Sequence, residues 1–390
     1  MVSSGDSSAT AATRVTELAC FRTAFPAEGG TYRMSGGREY TEFSSTVVRV
    51  STEDGTRGYG EASTMGGDYL DGFLESTEAT VRRLAPLVLD ADPLQAAPLV
   101  RMMDRTLIGH FPGKAAIDIA MWDLRGRLLG VPVATLLGGI AQTTVPAFAA
   151  VPPGAPEERI AEARRLATRG YLRWQIKVGD APDRDVADVR AILETVGEGR
   201  HYLSCDANCG WTTDDAMRFS RAVADLETYL EQPCASISEL ALVRAATGRP
   251  IIIDEAAKQP RDLLDAIALG CVDGINLKPV RVGGLTKAAL MRDIAQSAGL
   301  KIAVDEPMGG MLASACVAQL AATVDPRLLL ASAFFATNEE SFFDERSEAE
   351  DGMPTFSHGE ISVPTGPGHG VIPDEQSLGD PVFVVDAETV

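Results

Sequence analysis

Apolar and polar positions fall into two textures along the chain. Before Thr144 the runs are long. RVTELACFRTAF reads as a strand, Pro26 to Gly37 as a glycine-rich loop, and TEFSSTVVRVSTEDGTRGYGEA as two strands turning at Asp54-Gly55, a strong hairpin signal. Residues 70–108 carry helical periodicity punctuated by prolines, and a helix from Lys114 to Leu129 stops at Gly130. From Thr144 the pattern changes to eight short apolar runs: VPAFAAV, RWQIKV, HYLSCD, TYLEQP, IIIDE, DGINLK, LKIAVD and RLLLAS. Helical stretches such as PEERIAEARRLATRG and DAMRFSRAVADL lie between them, which predicts a parallel α/β barrel. An open doubly wound sheet is the alternative. No G-x-G-x-x-G or Walker loop follows any run, which counts against a nucleotide-binding version. The expected division is a disordered tail over 1–13, an α+β domain over 14–139 and the barrel over 140–354. The Gly- and Pro-rich 355–390 should return to pack on the first domain.

The ends of the apolar runs carry the chemistry. They finish in Gln175-Ile176-Lys177, Asp206-Ala207-Asn208, Glu231-Gln232-Pro233, Asp254-Glu255, Lys278 and Asp305-Glu306. Successive end positions are 23 to 29 residues apart, about one βα unit, so these groups repeat at one level, the C-terminal mouth where barrel enzymes place their sites. Three carboxylates from adjacent strands, Asp206, Glu231 and Asp254, would repel one another there. A hard divalent cation removes that problem, and an all-oxygen donor set suits Mg²⁺, with Mn²⁺ as a substitute, rather than zinc. Taken singly, each carboxylate could instead cap the following helix. Lys177 and Lys278 flank the trio in strand order, on opposite sides of whatever binds the metal. A lysine beside a cation and partly desolvated is expected to have a lowered pKa and to act as a base; the plain alternative is ion-paired support.

Composition narrows the readings. Hydrophobic residues are 45% and charged residues 23% of 390, which excludes a disordered, collagenous or membrane-spanning chain. The formal charge of −20 repels phosphate backbones and anionic lipid, so neither nucleic acid nor a membrane is an expected partner. Six scattered cysteines make no disulfide scaffold, and with four histidines they make no zinc site; reduced thiols and a cytoplasmic location fit best. The N-terminus has no basic or apolar region of a secretory signal. Basic residues are mostly Arg, and the lysines are only Lys114, Lys177, Lys258, Lys278, Lys287 and Lys301. A lysine inside an apolar strand therefore asks for a reason.

The ordered set Lys177, Asp206-x-Asn208, Glu231-Gln-Pro, Asp254-Glu255 and Lys278, with GYGEA at 58–62 and AAIDIAMWDLRGRLLGVPVATLLGG, resembles the enolase superfamily. Within it the chain is most similar to the muconate lactonizing enzyme branch of the mandelate racemase and muconate lactonizing enzyme family. The resemblance implies a (β/α)₇β modified TIM barrel with an α+β capping domain. It also implies Mg²⁺ held by Asp206, Glu231 and Asp254, with Glu255 supporting them, and Lys177 and Lys278 as acid and base. The usual Lys-x-Lys of the second strand is Gln175-x-Lys177 here. That Gln, TYRMSGGR at 31–38, GLTKAALMRD and the Asp305 stretch are similar to cis-3-hydroxy-L-proline dehydratases and to proline-betaine or hydroxyproline-betaine 2-epimerases. Their seventh strand usually ends Asp-x-Trp-Gly-Gly; this one ends Asp305-Glu306-Pro307-Met308-Gly309-Gly310. Met308 lacks the aromatic face that a quaternary ammonium seeks, whereas Asp305 can meet a secondary amine.

Two loops of the first domain are expected to form a lid over the mouth. Tyr32, Met34 and Ser35 sit in a loop flanked by Gly29-Gly30 and Gly36-Gly37, with Met65 and Tyr69 in a second loop. Tyr32, Met34, Ser35, Gln175, Asn208, Asp305 and Met308 are the expected substrate contacts. One Lys would remove the proton α to a carboxylate, giving a stabilised enediolate. Loss of a β-hydroxyl then dehydrates a cyclic imino acid such as cis-3-hydroxy-L-proline. Return of a proton by the other Lys gives a 2-epimerase or racemase of proline betaine or another amino-acid derivative; a muconate-type cycloisomerase is a further alternative. The non-enzyme alternative is a carboxylate-binding barrel, which has no need of two bases. The expected partner is a small carboxylate, and the expected state a homo-oligomer.

Overall fold

The computed structural model describes residues 13–27, 30–197, 201–334 and 353–389. The tail expected to be disordered therefore lies, apart from Thr13, outside the described residues. The chain opens with β1 (Val15–Pro26), then β2 (Tyr32–Met34), β3 (Arg38–Tyr40), β4 (Glu42–Thr52) and β5 (Arg57–Ser63). β1, β4 and β5 form an antiparallel sheet, and the C-terminal β17 (Phe383–Asp386) adds to the free edge of β1. The glycine-rich loop is not plain coil: β2 and β3 pair within it, Tyr32 opposite Tyr40.

Helices Leu74–Val88 and Phe111–Leu129 cover this sheet, and Ala96–Thr106 packs against both. The third is buried nearly all round and ends on Gly130 in the left-handed region, the ordinary helix stop. It lies directly on β5 because Gly58 and Gly60 have no Cβ. A methyl at either would come within 2.5 Å of the backbone of Ala116, Ala120 or Leu124. The GYGEA motif is thus a close-approach device between strand and helix.

The remaining strands are β6 (Thr144–Pro146), β7 (Ala149–Val151), β8 (Arg173–Lys177), β9 (Tyr202–Asp206), β10 (Tyr229–Glu231), β11 (Ile251–Ile253), β12 (Gly274–Leu277), β13 (Lys301–Val304) and β14 (Leu329–Ser332), then β15 (Phe356–Ser357) and β16 (Glu360–Ser362). β7 to β14 run parallel in sequence order, each at one of the eight apolar runs. A parallel bridge between Ala147 and Ser332 closes the ring. The fold is a closed eight-stranded parallel barrel carrying a separate strand-rich cap. Between strands the helices start on Pro156, Pro182 and Pro260, or on Thr212 and Ser236, whose hydroxyls accept the amides of Asp215 and Glu239. The C-terminal stretch returns in two places: β16 pairs with β6, and only β17 joins the cap sheet.

Side chains alternate across each strand. Phe148, Tyr202, Ile252, Ala303 and Leu330 share one buried cluster inside the barrel. Counting on by two from Tyr202, Ile252 and Ala303 reaches Ser204 and Asp206, Asp254, and Asp305. The polar groups of the mouth are therefore the upper layers of a filled barrel.

Candidate active site

Lys177, Asp206, Glu231, Asp254, Lys278 and Asp305 are brought together at the mouth, each 5% exposed or less. β8 and β12 stand four strands apart in the eight-strand ring, so Lys177 and Lys278 face one another across it. Lys177 Nζ lies 2.5 Å from Asp206 Oδ2, and the two residues are register partners. Lys278 Nζ is 3.0 Å from Asp254 Oδ1 and 2.6 Å from Asp305 Oδ2. Arg281, on the one-turn helix Pro279–Val282, also pairs with Asp254. Glu231 accepts from Gln175 Nε2 at 3.1 and 3.0 Å, from Ser204 Oγ at 2.6 Å and from Asn276 Nδ2 at 2.6 Å. Asn208 Nδ2 holds Glu255 Oε1 at 2.9 Å.

The electrostatics follow from burial and from these pairings. Burial, then the charges of Asp206 and Asp254, push Glu231 up to about 8. Burial, then Asp254 and Asp206, push Glu255 up to about 7. Burial would also raise Asp254, but Arg281 and Lys278 outweigh it and hold the group down at about 2. The lysines depart from the sequence expectation. Burial works against both ammonium groups, yet Asp206 on Lys177, and Asp254 with Asp305 on Lys278, more than reverse it, and both pKa values are raised. The neighbours of each lysine are carboxylates, so the field at each is negative.

The trio suits a hard divalent cation. Its donors are all oxygen, and three further buried oxygens around it, Asn208 Oδ1, Glu255 Oε2 and Asn276 Oδ1, have no protein hydrogen-bond partner. The carboxylates stand at one level but are not gathered to a point: among the described residues no three acidic, His or Cys side chains lie close enough to ligate one ion. The reason is visible in the pairings, since Lys177, Lys278 and Arg281 take up oxygens of Asp206 and Asp254.

Two cap loops come down on the mouth. Ser35 Oγ reaches Asp206 O at 3.4 Å, and Arg38 bonds Ser35 O at 2.9 Å and Asn208 O at 3.4 Å. Tyr69 OH donates to Asp254 Oδ2 at 3.2 Å, with its ring under Arg281 and Lys278. Met34 is packed with Ala27, Phe43 and Met65, and Tyr32, Tyr69 and Met308 flank that cluster. Met34 and Met308 are thus part of an apolar roof. A cavity of about 550 Å³ lies on each side: one against Tyr69, Cys209, Glu255 and Arg281, the other against Tyr32, Phe43, Phe148 and Met308. Sequence reasoning placed Gln175 on the substrate; here its amide is spent on Glu231. It missed Ser204, Asn276 and Arg281. The first two lie two residues before Asp206 and Lys278, on the same strand face, so strand alternation was the signal for them; Arg281 had none in the strand pattern.

Known proteins resemble the chain over nearly its whole length. Residues 33–138 match the model of the mandelate racemase/muconate lactonizing enzyme N-terminal domain, and residues 158–377 match the enolase C-terminal domain-like model. The cis-3-hydroxy-L-proline dehydratase of Roseibium aggregatum is 36% identical over 369 residues, 95% of this chain and 99% of that one. A solved mandelate racemase/muconate lactonizing enzyme from Roseovarius nubinhibens superposes with a TM-score of 0.88 at 34% identity, over 96% of this chain and 98% of that one. A putative mandelate racemase/muconate lactonizing enzyme from the same organism, complexed with magnesium, has a TM-score of 0.88 at 31% identity, over 95% and 100%. Further relatives are epimerases, racemases and cycloisomerases. Among the described residues no helix is long and apolar enough to cross a membrane.

Proposed function

Because the chain belongs to the mandelate racemase/muconate lactonizing enzyme family and is an enolase-superfamily enzyme, we propose that it removes the proton α to a carboxylate and dehydrates a cyclic imino acid, with cis-3-hydroxy-L-proline as the substrate. The observation that carries the reading is the pair of buried lysines facing one another across a carboxylate-lined mouth. Asp206, Glu231 and Asp254 would hold Mg²⁺, for which Mn²⁺ could substitute. When bound, the cation supplies positive charge where negative charge develops on the substrate carboxylate.

The protein groups do the rest. One lysine takes the α-proton, which requires it as the free amine although its carboxylate neighbours favour the ammonium. The Cα–H pair becomes the Cα=Cβ bond as the Cβ–O bond breaks, and hydroxide leaves as water with a proton from a lysine ammonium. Asp305, 2.6 Å from Lys278, is placed to meet the ring amine. Met308 offers that amine no aromatic face, which favours a secondary amine over a betaine. If instead the second lysine returns a proton to Cα, the product is the epimer. The cap loops bearing Tyr32, Met34 and Ser35 exclude water, with Asn208 at the rim.

We place the cap at 14–139 with 355–390, and the catalytic barrel at 140–354. The protein acts on a small carboxylate in the cytoplasm, as a homo-oligomer, without nucleic acid or membrane. The test is mass-spectrometric detection of water loss from cis-3-hydroxy-L-proline by purified protein with Mg²⁺. Asp206→Asn should abolish it while the fold survives. Full activity in excess chelator would sink the metal assignment. Epimerisation of another amino acid, with no turnover of hydroxyproline, would sink the substrate while leaving proton abstraction standing.

A further inference from the structure

Glu231 differs from the carboxylates beside it in the company it keeps. Asp206 is paired with Lys177, and Asp254 with Lys278 and Arg281. Glu231 has no cation at ion-pair distance among the described residues. Its oxygens instead accept from three neutral donors, Gln175, Ser204 and Asn276, at 2.6 to 3.1 Å. These come from three strands, β8, β9 and β12, and each stands two residues before a mouth residue, Lys177, Asp206 or Lys278. All three are buried, at 5%, 0% and 3% exposure, in a layer of a barrel interior that branched apolar side chains ordinarily fill. Burying three polar side chains around one carboxylate gains little stability over an apolar layer. The arrangement makes sense if the position and charge of Glu231 are what it serves.

We propose that Gln175, Ser204 and Asn276 form a neutral clamp that aims Glu231 and leaves its full negative charge to the divalent cation, so that this clamp sets the affinity for the ion. They are positioning residues, acting through Glu231. Neutrality is the point. A lysine at 175 could still donate to Glu231, but its charge would cancel part of what the ion feels. Asn276 carries the clamp further, since its Nδ2 also lies 3.3 Å from Asp305 Oδ2, and Asp305 pairs with Lys278. The orientation of Glu231 is thereby tied to the acid/base lysine on β12. Other ligating carboxylates are oriented in the same way by groups behind them, whose loss typically weakens metal binding about 10–100-fold.

The inference rests on the proposed metal assignment but not on the substrate. Its test is therefore a binding measurement without substrate: titration calorimetry of Mg²⁺ into the metal-stripped full chain, with Mn²⁺ electron paramagnetic resonance as a second readout. Ser204→Ala, Asn276→Ala and Gln175→Lys should each raise the Mg²⁺ dissociation constant about tenfold or more. Gln175→Lys is the discriminating variant, because it can still donate to Glu231 while adding a charge. Mg²⁺ binding by that variant as tight as wild type would overturn the charge argument. Unchanged affinity in Ser204→Ala and Asn276→Ala, alongside a lowered melting temperature, would show that the three residues merely fill the barrel. If the wild-type chain binds no Mg²⁺ at all, the metal assignment falls and the clamp with it. Loss of hydroxyproline turnover with intact Mg²⁺ binding touches only the substrate.

Discussion

Asp118 joins cap to barrel through a helix end, and its burial makes that joint pH-dependent. It sits on the cap helix Phe111–Leu129, 1% exposed, and accepts from Thr286 N at 2.8 Å and Thr286 Oγ1 at 2.7 Å. Thr286 lies in the first turn of the barrel helix Leu285–Ser297, whose own cap position, Gly284, has no side chain to offer. The amide is therefore satisfied from the cap. Gly284 is required for this: a Cβ there would lie 2.3 Å from Asp118 Oδ2. Burial raises the Asp118 pKa from 3.8 to about 6, against the opposing pull of the Thr286 bonds and of Lys287. Trp122 Nε1 adds a neutral donor at 2.9 Å to Thr286 Oγ1.

A carboxyl whose pKa is raised on folding contributes stability below its unfolded pKa and loses it as pH rises through its folded pKa. A displacement of about two pH units corresponds to about 3 kcal/mol. Asp118→Asn keeps the shape and cannot ionise. Its stability relative to wild type should therefore rise by about 2.5 kcal/mol between pH 4 and pH 7, or about 3 °C in melting temperature for a chain of this size. Differential scanning calorimetry of the two proteins across that range checks it, and taking the difference cancels Glu231 and Glu255, which titrate nearby. Asp118→Ala leaves the Thr286 amide without an acceptor and should lie about 1–3 kcal/mol below Asp118→Asn throughout. A wild-type minus Asp118→Asn difference that is flat in pH would refute the reasoning.

The remaining predictions concern the site and one packing contact. Lys177→Ala and Lys278→Ala should each lower kcat by at least about 10³-fold; in deuterated solvent the variant lacking the base should lose α-proton exchange, and a double variant with near wild-type turnover would show that the wrong residues were chosen. Tyr69→Phe removes the hydroxyl's 3.2 Å bond to Asp254 and its interaction with Arg281 but keeps the ring under Arg281, so its kcat/KM should fall less than about tenfold in steady-state assays. Gly60→Ala sets a methyl 2.2 Å from Ala116 O, backbone against backbone, and should cost about 1–3 kcal/mol or more, read as a lower melting temperature.

The barrel was legible because it repeats. A βα unit of nearly constant length brings polar strand ends to one level, and six of them could be read off as spacings. The charge state of the lysines was not legible: it depends on how many carboxylates face each one, and Asp206 on one side and Asp254 with Asp305 on the other outweigh burial. Ser204 and Asn276 were encoded, since a residue two places before a strand end shares its face. Arg281 was not, because its partner is chosen by the one-turn helix after β12 rather than by any strand period. The β2–β3 hairpin hid in the glycine-rich loop because strands of three residues leave too little alternation to see.

The strand-borne groups are the same whichever way the reaction ends. In the proposed reaction, two lysines on opposite sides of one carboxylate site would serve both loss of a β-hydroxyl and return of a proton. What distinguishes the outcomes has to come from the parts that touch the rest of the substrate: the β2–β3 hairpin, the loop around Met65 to Tyr69, and the turn after β13. Backbone strain is concentrated around the mouth, and two of these parts carry some of it. Of the eight non-glycine residues with positive φ among the described residues, five stand around the mouth: Met65, Asn208, Cys209, Gln232 and Met308. Such conformations cost of order 1–3 kcal/mol each and persist only where the surroundings over-determine them. Met308 shows how: its φ of 46° turns the chain between Asp305 and Gly310, whose amide is held by the cap residue Glu61 at 2.8 Å, and the side chain packs against the cap cluster. The cap therefore fixes the one turn that carries both the proposed amine partner and the residue standing where the betaine epimerases have an aromatic ring. On the proposed reading, proton abstraction belongs to the barrel, and the choice of substrate belongs to the seam between barrel and cap.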